Sequence, residues 1–532
     1  MRKVAALVIL ICVLLVGCGG NTESDKTKTS KKPTNKDADD SIVEIEDFDD
    51  EEYDEDEYDY GDDFSFGSAL TGEVTVKKNT SAEKPISVFK DTVSGGYSKQ
   101  AATLRESIRN TTRNYDVKGT TYYISPNGDD FEDGTSPKTA WQSLDALLMN
   151  NYMIKSGDAV LFERGGVYRE NSSINAKSGV IYGAYGKGEK PCIYGSAVNY
   201  ASGKLWESSN KKNIWKMEFP QKDAGVIVFN YGESSGVLKS GLAPMAKNGD
   251  FYHNTTDKMF YLYCDKGNPG LVYDDIEIGT NQPLFVLTGG VNDVLIDNIC
   301  FRYTGSHGIS GYQKNYNITI TNCELGWIGG SHQNAVTRFG NAIQFWDSCW
   351  DINISNNWVY QVYDAGITYQ YSGTGGDGGR YNNIVFSKNL VEYCTYSFEV
   401  FTNKDTGTMK NITFDSNVLR CAGYGFGSQR PNALDVSHIC GWGLYYGNSL
   451  KNVSVINNIF DCSTTQAINW ASGENQHKGF TIKNNTFYQI ANGNNPVMNF
   501  GLAGRTYAKN QAEFEKAIAT FDKNPKLVKW LG

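Results

Sequence analysis

The chain has 532 residues, 21% of them charged, and a formal net charge of −10. That charge is uneven: residues 37–63 carry 17 Asp and Glu with no Lys or Arg, residues 1–36 are about +5, and residues 64–532 are left at about +2. No strongly basic domain is present, which argues against a nucleic-acid or highly anionic partner.

The chain opens with MRKVAALVILICVLLVGCGG, a basic n-region, an apolar h-region and then LVGC. The apolar run is too short, and charged on one flank only, for a good transmembrane helix. LVGC resembles the lipobox of bacterial lipoproteins. That resemblance implies a lipoprotein signal segment over residues 1–18, cleaved before Cys18, which becomes the lipidated first residue of the mature chain. The expectation is an exported protein, anchored by lipid to the outer face of the bacterial cell membrane. Residues 19–95 follow as a disordered acidic linker: the block of like charges repels itself and stays solvated. Its acidic run lacks the Gly-turned spacing of a defined calcium loop.

Residues 96–120 are a helical lead-in, with a helix expected over Tyr97–Asn114. The folded body begins at Thr121, and residues 121–205 read as an N-terminal cap and first coils. A helix around Ser143–Asn151 would cover open strand edges, which otherwise pair with other chains. The pieces YYISPNGDD, SGDAVLFERGGVYRE and IYGAYGKGEKPCI resemble the N-terminus of bacterial right-handed parallel β-helix proteins that act on polysaccharides (the pectate-lyase-like superfamily). Residues 206–282 break the pattern. NIWKMEF, AGVIVFN and DKMFYLYCD alternate as a small β insertion. GDFYHN followed by MFYLYCDKGNPG is similar to an insertion in a β-helix glycoside hydrolase family with fucosidase and xylanase members.

Residues 283–490 repeat one phrase: an alternating apolar strand, an Asn, a bend and a second apolar strand. The Asn fall at 298, 322, 357, 389, 417, 458 and 485, separated by 24, 35, 32, 28, 41 and 27 residues. Strands of four to six residues cannot bury a face alone and must stack on their neighbours. The expected fold is all-β: a parallel β-helix, right-handed by the resemblance, with a small β insertion and helical caps. Each Asn should occupy one bend station, its amide bonding the Asn above and below, in a place that suits left-handed backbone. Cys394, Cys421 and Cys462 fall at nearly one station, so stacked buried thiols are favoured over disulfides. No Cys/His spacing points to zinc. Residues 491–532 form a C-terminal helix and tail, with Phe514, Ala517, Ile518 and Phe521 at helical spacing across Ala508–Phe521.

Aligning the second strand of each coil on Ile309, Ile343, Ile367, Phe398, Leu444 and Ile468 gives an outward row: Ser310, Gln344, Thr368, Glu399, Tyr445, Asn469. Two residues on, the outward row is Tyr312, Trp346, Gln370, Phe401. Amides and aromatics suit pyranose rings, which have an apolar face and a fringe of hydroxyls; the competing reading is aromatic shielding of a sheet. The inserted loops carry His332, Arg338, Asp377, Arg380, Lys404, Asp405, Arg430, Asp435 and His438. A glycoside hydrolase needs two carboxyls about the scissile bond. Glu399 is the one acid of its row, and Asp364 precedes the second strand of the coil before it; Asp377, Asp405 and Asp435 are substitutes. Gln344, Trp346, Gln370, Tyr445, His332, Arg338, Arg380, Lys404, Arg430 and His438 are the expected substrate contacts.

The leading function is hydrolysis of a polysaccharide or oligosaccharide by a monomer that needs no metal or other cofactor. A polysaccharide lyase with a Lys or Arg base, and with calcium, is the alternative. A non-catalytic glycan-binding surface lipoprotein is the third reading.

Overall fold

The computed structural model describes residues 83–169, 172–334, 336–371, 380–402, 408–431, 435–442, 449–470, 479–501 and 504–532. Cys18, the acidic block, Asp377, Lys404, Asp405 and Tyr445 lie outside the described residues.

The body is a right-handed parallel β-helix. One face is a ten-stranded sheet running from Thr121–Ile124 to Phe480–Lys483, each strand pairing parallel with its counterpart one coil on. The second and third faces join into one eighteen-stranded sheet, because Trp358–Tyr371 and Leu390–Thr402 run unbroken around the corner. Register keeps like residues in columns. Ile318, Ile352, Ile384, Ile412 and Val453 stack along the interior of the first face. Ile309, Ile343, Ile367, Phe398, Ile439 and Ile468 stack along the interior of the third. β-Branched side chains dominate these columns because they pack well on a pleated surface and bury most of their area against the next coil.

The asparagine ladder is present, one residue out of the expected register at its start. Asn357, Asn389, Asn417, Asn458 and Asn485 are buried, and each donates its Nδ2 to the next ladder residue, at 3.0 Å for Asn357 to Asn389 and for Asn389 to Asn417. Asn485 ends the series on the Asp522 carboxylate at 2.8 Å. In the two preceding coils this station holds Cys323 and Ile299. Asn322 and Asn298 belong one place earlier, with Asn356, Lys388, Ser416, Asn457 and Asn484, and it is this earlier column that has φ between 53° and 62°. The left-handed residue turns the chain; the asparagine after it satisfies the backbone that the turn exposes. The cysteines divide in the same way. Cys421 and Cys462 share a left-handed station with Tyr393, while Cys394 lies one residue further on. All nine described cysteines are free and buried.

Both ends are covered. Ser143 accepts a hydrogen bond from Ala146 N and caps the helix Leu144–Met149, which buries Leu144, Ala146 and Leu147; a single 3-10 turn, Asn151–Met153, follows. At the far end Asn510 caps Gln511–Ala519, and Phe514, Ala517 and Ile518 are buried. The insertion forms two antiparallel units. Ile214–Glu218, Asp250–Asn254 and Met259–Tyr263 make the centre of one sheet, and Ala224–Phe229 pairs with Ile276–Thr280 in the other.

The segment read as linker up to residue 95 packs earlier than expected. Phe89 lies edge-on to Trp358, Tyr360 and Tyr393. The lead-in helix, Ser98–Arg109, then lays Arg105 on Glu392 at 2.7 Å and Arg109 on Glu324 at 3.2 Å. This covers the second face of the coil.

Candidate active site

The third face carries the candidate site. Its outward column is Ser310, Gln344, Thr368, Glu399, Cys440 and Asn469. Cys440 stands where Tyr445 was expected: the strand Ser437–Trp442 pairs Ile439 with Phe398 and Cys440 with Glu399. The loop before this strand is shorter than the alignment allowed for, and SHICGW and GLYYG both alternate, which caused the slip. The second outward column is Tyr312, Trp346, Gln370 and Phe401, all half-buried.

Glu399 is flanked in sequence by Phe398 and Val400, whose side chains belong to the core, so alternation directs its own side chain outward. Its carboxylate accepts from Gln370 Nε2 at 2.6 Å and from Thr368 Oγ1 at 3.3 Å. It is 6% exposed, and Asp364 is 7% exposed. Asp364 reaches the same ground through a bulge. Val362 pairs with Cys394 and Ala365 with Tyr396, so Tyr363 and Asp364 together oppose the single residue Thr395. Such a bulge re-aims a side chain out of plain alternation.

Arg430 closes over the pair. It comes from the loop after the short turn Gly425–Gln429, its Nη1 is 2.6 Å from Asp364 Oδ2, and its guanidinium lies 5.6 Å from the centre of the Tyr396 ring. Burial, and then the neighbouring Asp364 carboxylate, raise the Glu399 pKa to about 7, against the pull of Arg430. Burial raises Asp364 too, and the Arg430 guanidinium opposes it. Burial works against the charge of Arg430, but Asp364, Tyr396 and Glu399 hold it firmly protonated. Asp364 Oδ1 and Arg430 Nε are buried without a hydrogen-bond partner among the described residues.

The surroundings lock this geometry. Asn341 donates to Gln344 Oε1 at 2.6 Å and accepts from Ala365 N at 2.9 Å, next to the bulge. Thr395 Oγ1 donates to the carbonyls of Tyr363 and Gly427, tying the bulge to the Arg430 loop. Gln429 Nε2 bonds Gly236 O of the insertion at 2.9 Å.

The other expected contacts fall elsewhere. His332 pairs with Asp223 of the insertion at 3.0 Å. Arg338 bonds Gly330 O and Gly225 O and stacks on Tyr363 at 4.3 Å. These two fasten a loop to the insertion and support the bulge from behind. Arg380 stacks on Trp350 of the first face, 4.6 Å from its ring, in the same stack as Tyr316. His438 is 1% exposed, bonds Ser397 Oγ and faces Phe460; it points into the coil, and burial lowers its pKa to about 3. It lies two residues before Cys440, where plain alternation would turn it outward, and only its contacts with Ser397 and Phe460 show that it is turned in. Tyr396, Asn341 and the bulge itself were missed. A strand as long as Trp358–Tyr371, carrying Asp at its middle, was the available signal for the last. A cavity of about 800 Å³ lies on the first face among Asn317, Asn353, Asn383 and their neighbours, away from both carboxyls. It is a shallow polar gutter, and the convergence of titratable groups, not volume, marks the site. Among the described residues no group of three or more His, Cys, Asp or Glu is placed to hold a metal ion.

No family model matches the chain. Lacto-N-biosidase of Bifidobacterium longum subsp. longum is 32% identical over 124 residues, which is 22% of this chain and 7% of that relative's length. Among solved structures, a glycoside hydrolase superposes with a TM-score of 0.42 at 10% identity, covering 77% of this chain and 96% of its own. A rhamnogalacturonan lyase gives 0.32 at 12% identity, covering 71% and 75%. The chain's own parallel pairing, coil on coil, is the architecture that the sequence resemblance implied.

Proposed function

We propose that this chain is a carbohydrate-active enzyme that hydrolyses glycosidic bonds of an oligosaccharide or polysaccharide. Glu399 donates a proton to the leaving oxygen, and Asp364 is its ionised partner. One observation carries the reading: two carboxyls from adjacent coils converge beneath Arg430, on the face that presents Tyr312, Trp346, Gln370 and Phe401. Two buried carboxyls that interact cannot both ionise easily, so their environments must divide the roles. Arg430 holds Asp364 as the carboxylate. Glu399, which has only amide and hydroxyl donors and a negative neighbour, keeps its proton near neutral pH and suits a general acid. Asp364 then faces the positive charge that develops on the sugar ring during cleavage.

Lyase chemistry finds less support at this spot, because a guanidinium held as firmly charged as Arg430 is a poor base. The lipobox resemblance supports display of the enzyme on the outer face of the membrane through Cys18.

The test is incubation with a panel of plant and host glycans, read both by reducing ends and by ultraviolet absorbance of unsaturated uronate. New reducing ends without absorbance, abolished in Glu399→Gln and in Asp364→Asn with unchanged melting, support the reading. Absorbance would mean a lyase, and neither signal would leave a binding protein.

A further inference from the structure

Two coils beyond Glu399, in the same outward column, the structure holds a second polar group that the pair does not use. Glu399 pairs with Cys440, Cys440 with Asn469, and Asn469 with Asn499. Parallel strands are spaced about 4.8 Å apart, so Asn469 stands roughly 9.6 Å from Glu399 along the axis, within the span of an adjoining sugar unit. Asn469 is 4% exposed, yet among the described residues its amide nitrogen makes only long contacts: 3.4 Å to Asp435 O, 3.5 Å to Asp435 Oδ1 and 3.9 Å to Cys440 Sγ. Its oxygen is fixed by Asn499 Nδ2 at 2.9 Å. Asp435, whose side chain is 28% exposed, lies 3.9 Å from Arg505 Nη2, a separation too long for a formed hydrogen bond.

A buried amide donor satisfied only at 3.4 Å or beyond is costly to leave so. The contrast with Glu399, gripped at 2.6 Å by Gln370, is direct. The Glu399 carboxylate is held by a short bond, whereas among the described residues the Asn469 amide nitrogen and the Asp435 carboxylate meet each other and Arg505 only at 3.4 Å or beyond, and Asp435 is partly open. They offer a carboxylate acceptor, an amide donor and a guanidinium donor within one small region. That set matches adjacent hydroxyls of a sugar ring, one of which donates to the carboxylate while a neighbour accepts from amide or guanidinium.

We propose that Asp435, Asn469 and Arg505 form a subsite for a second sugar unit of the same chain, so that the glycan lies along the axis of the coil. This rests on reading Glu399 as the proton donor.

The experiment measures binding, by calorimetry, in the Glu399→Gln background. The probes are size-fractionated oligomers of each glycan in the panel, from the dimer upward. The expected result is that Asp435→Ala and, separately, Arg505→Met weaken binding of the longer oligomers about tenfold, while dimer affinity moves less than twofold. Equal weakening at every length, no weakening, or no binding of any oligomer would overturn the subsite. Thermal melting of both variants separates these outcomes from loss of fold, and Arg505 is exposed enough to be replaced without disturbing the core. Failure of the underlying reading looks different: Glu399→Gln would then retain full turnover, whatever the dependence on chain length.

Discussion

Two faces of one coil bury charge in opposite ways. On the second face Arg420 contacts Glu392, Asp461 at 2.7 Å and Asp91 at 3.0 Å, and Glu392 also takes Arg105. Asp91 further accepts from Tyr393, and Asp461 from the backbone of Gly96 and Tyr97. Acids and bases alternate there, the lead-in helix lies over them, and the groups are multiply satisfied. On the third face Arg430 serves Asp364, with Glu399 next to them, and among the described residues Asp364 Oδ1 and Arg430 Nε are buried without partners. Burial of charge is therefore no mark of function by itself. The network on the second face glues a helix to a scaffold. The imbalance on the third raises a carboxyl to about 7 and leaves it facing half-open aromatics.

The sharpest way to test that contrast is to disarm each face in turn. Glu399→Gln should lower turnover on the cleaved glycan by about 10²–10⁴, read by reducing ends, with the fold intact. In the wild type, activity should fall as pH rises through about 7, because the acid is then spent. The stability linkage has the same sign. The folded-state pKa lies above the ordinary 4.5, so the stabilisation is full below that value and is lost as pH rises through about 7. Glu399→Gln should flatten the melting temperature across this window.

Arg420→Met should leave chemistry at the third face alone but destabilise the protein by about 3–5 kcal/mol, since it removes the cation that two buried carboxylates share; denaturant melts measure this. Equal tolerance of both substitutions would erase the distinction between the faces. Asp364→Asn removes a negative neighbour and frees the Arg430 cation toward Glu399. The pH at which Glu399 titrates should therefore move down from about 7, which carboxyl NMR of the folded variant detects. Asn417→Ala in the ladder leaves Asn389 N and Phe386 O without partners and should cost about 1–3 kcal/mol. The smallest effect belongs to Arg380→Ala, about 0.5–1 kcal/mol from its stacking on Trp350.

Much of the coil was legible because its physics is local and repeated. An alternating strand fixes which residues face inward, so the columns of Ser310, Gln344, Thr368 and Glu399 and of Tyr312, Trp346 and Gln370 could be written before any contact was seen. The repeat failed where a loop intervened. Tyr445 and Cys440 are equally plausible by alternation, and only the pairing of Ile439 with Phe398 chooses between them. Asn322 and Asn357 look alike in sequence, but one turns the chain and the other rungs the ladder.

Sequence alone determined the repeating apolar strands, the bend asparagines and the outward Glu399, since each depends on near neighbours and a period of two. Tertiary structure decided the rest. It brought Arg430 from 66 residues away onto Asp364, turned His438 inward, and set His332 and Arg338 against the insertion. These outcomes depend on how loops of unequal length close over a rigid surface, and no local preference encodes that closure.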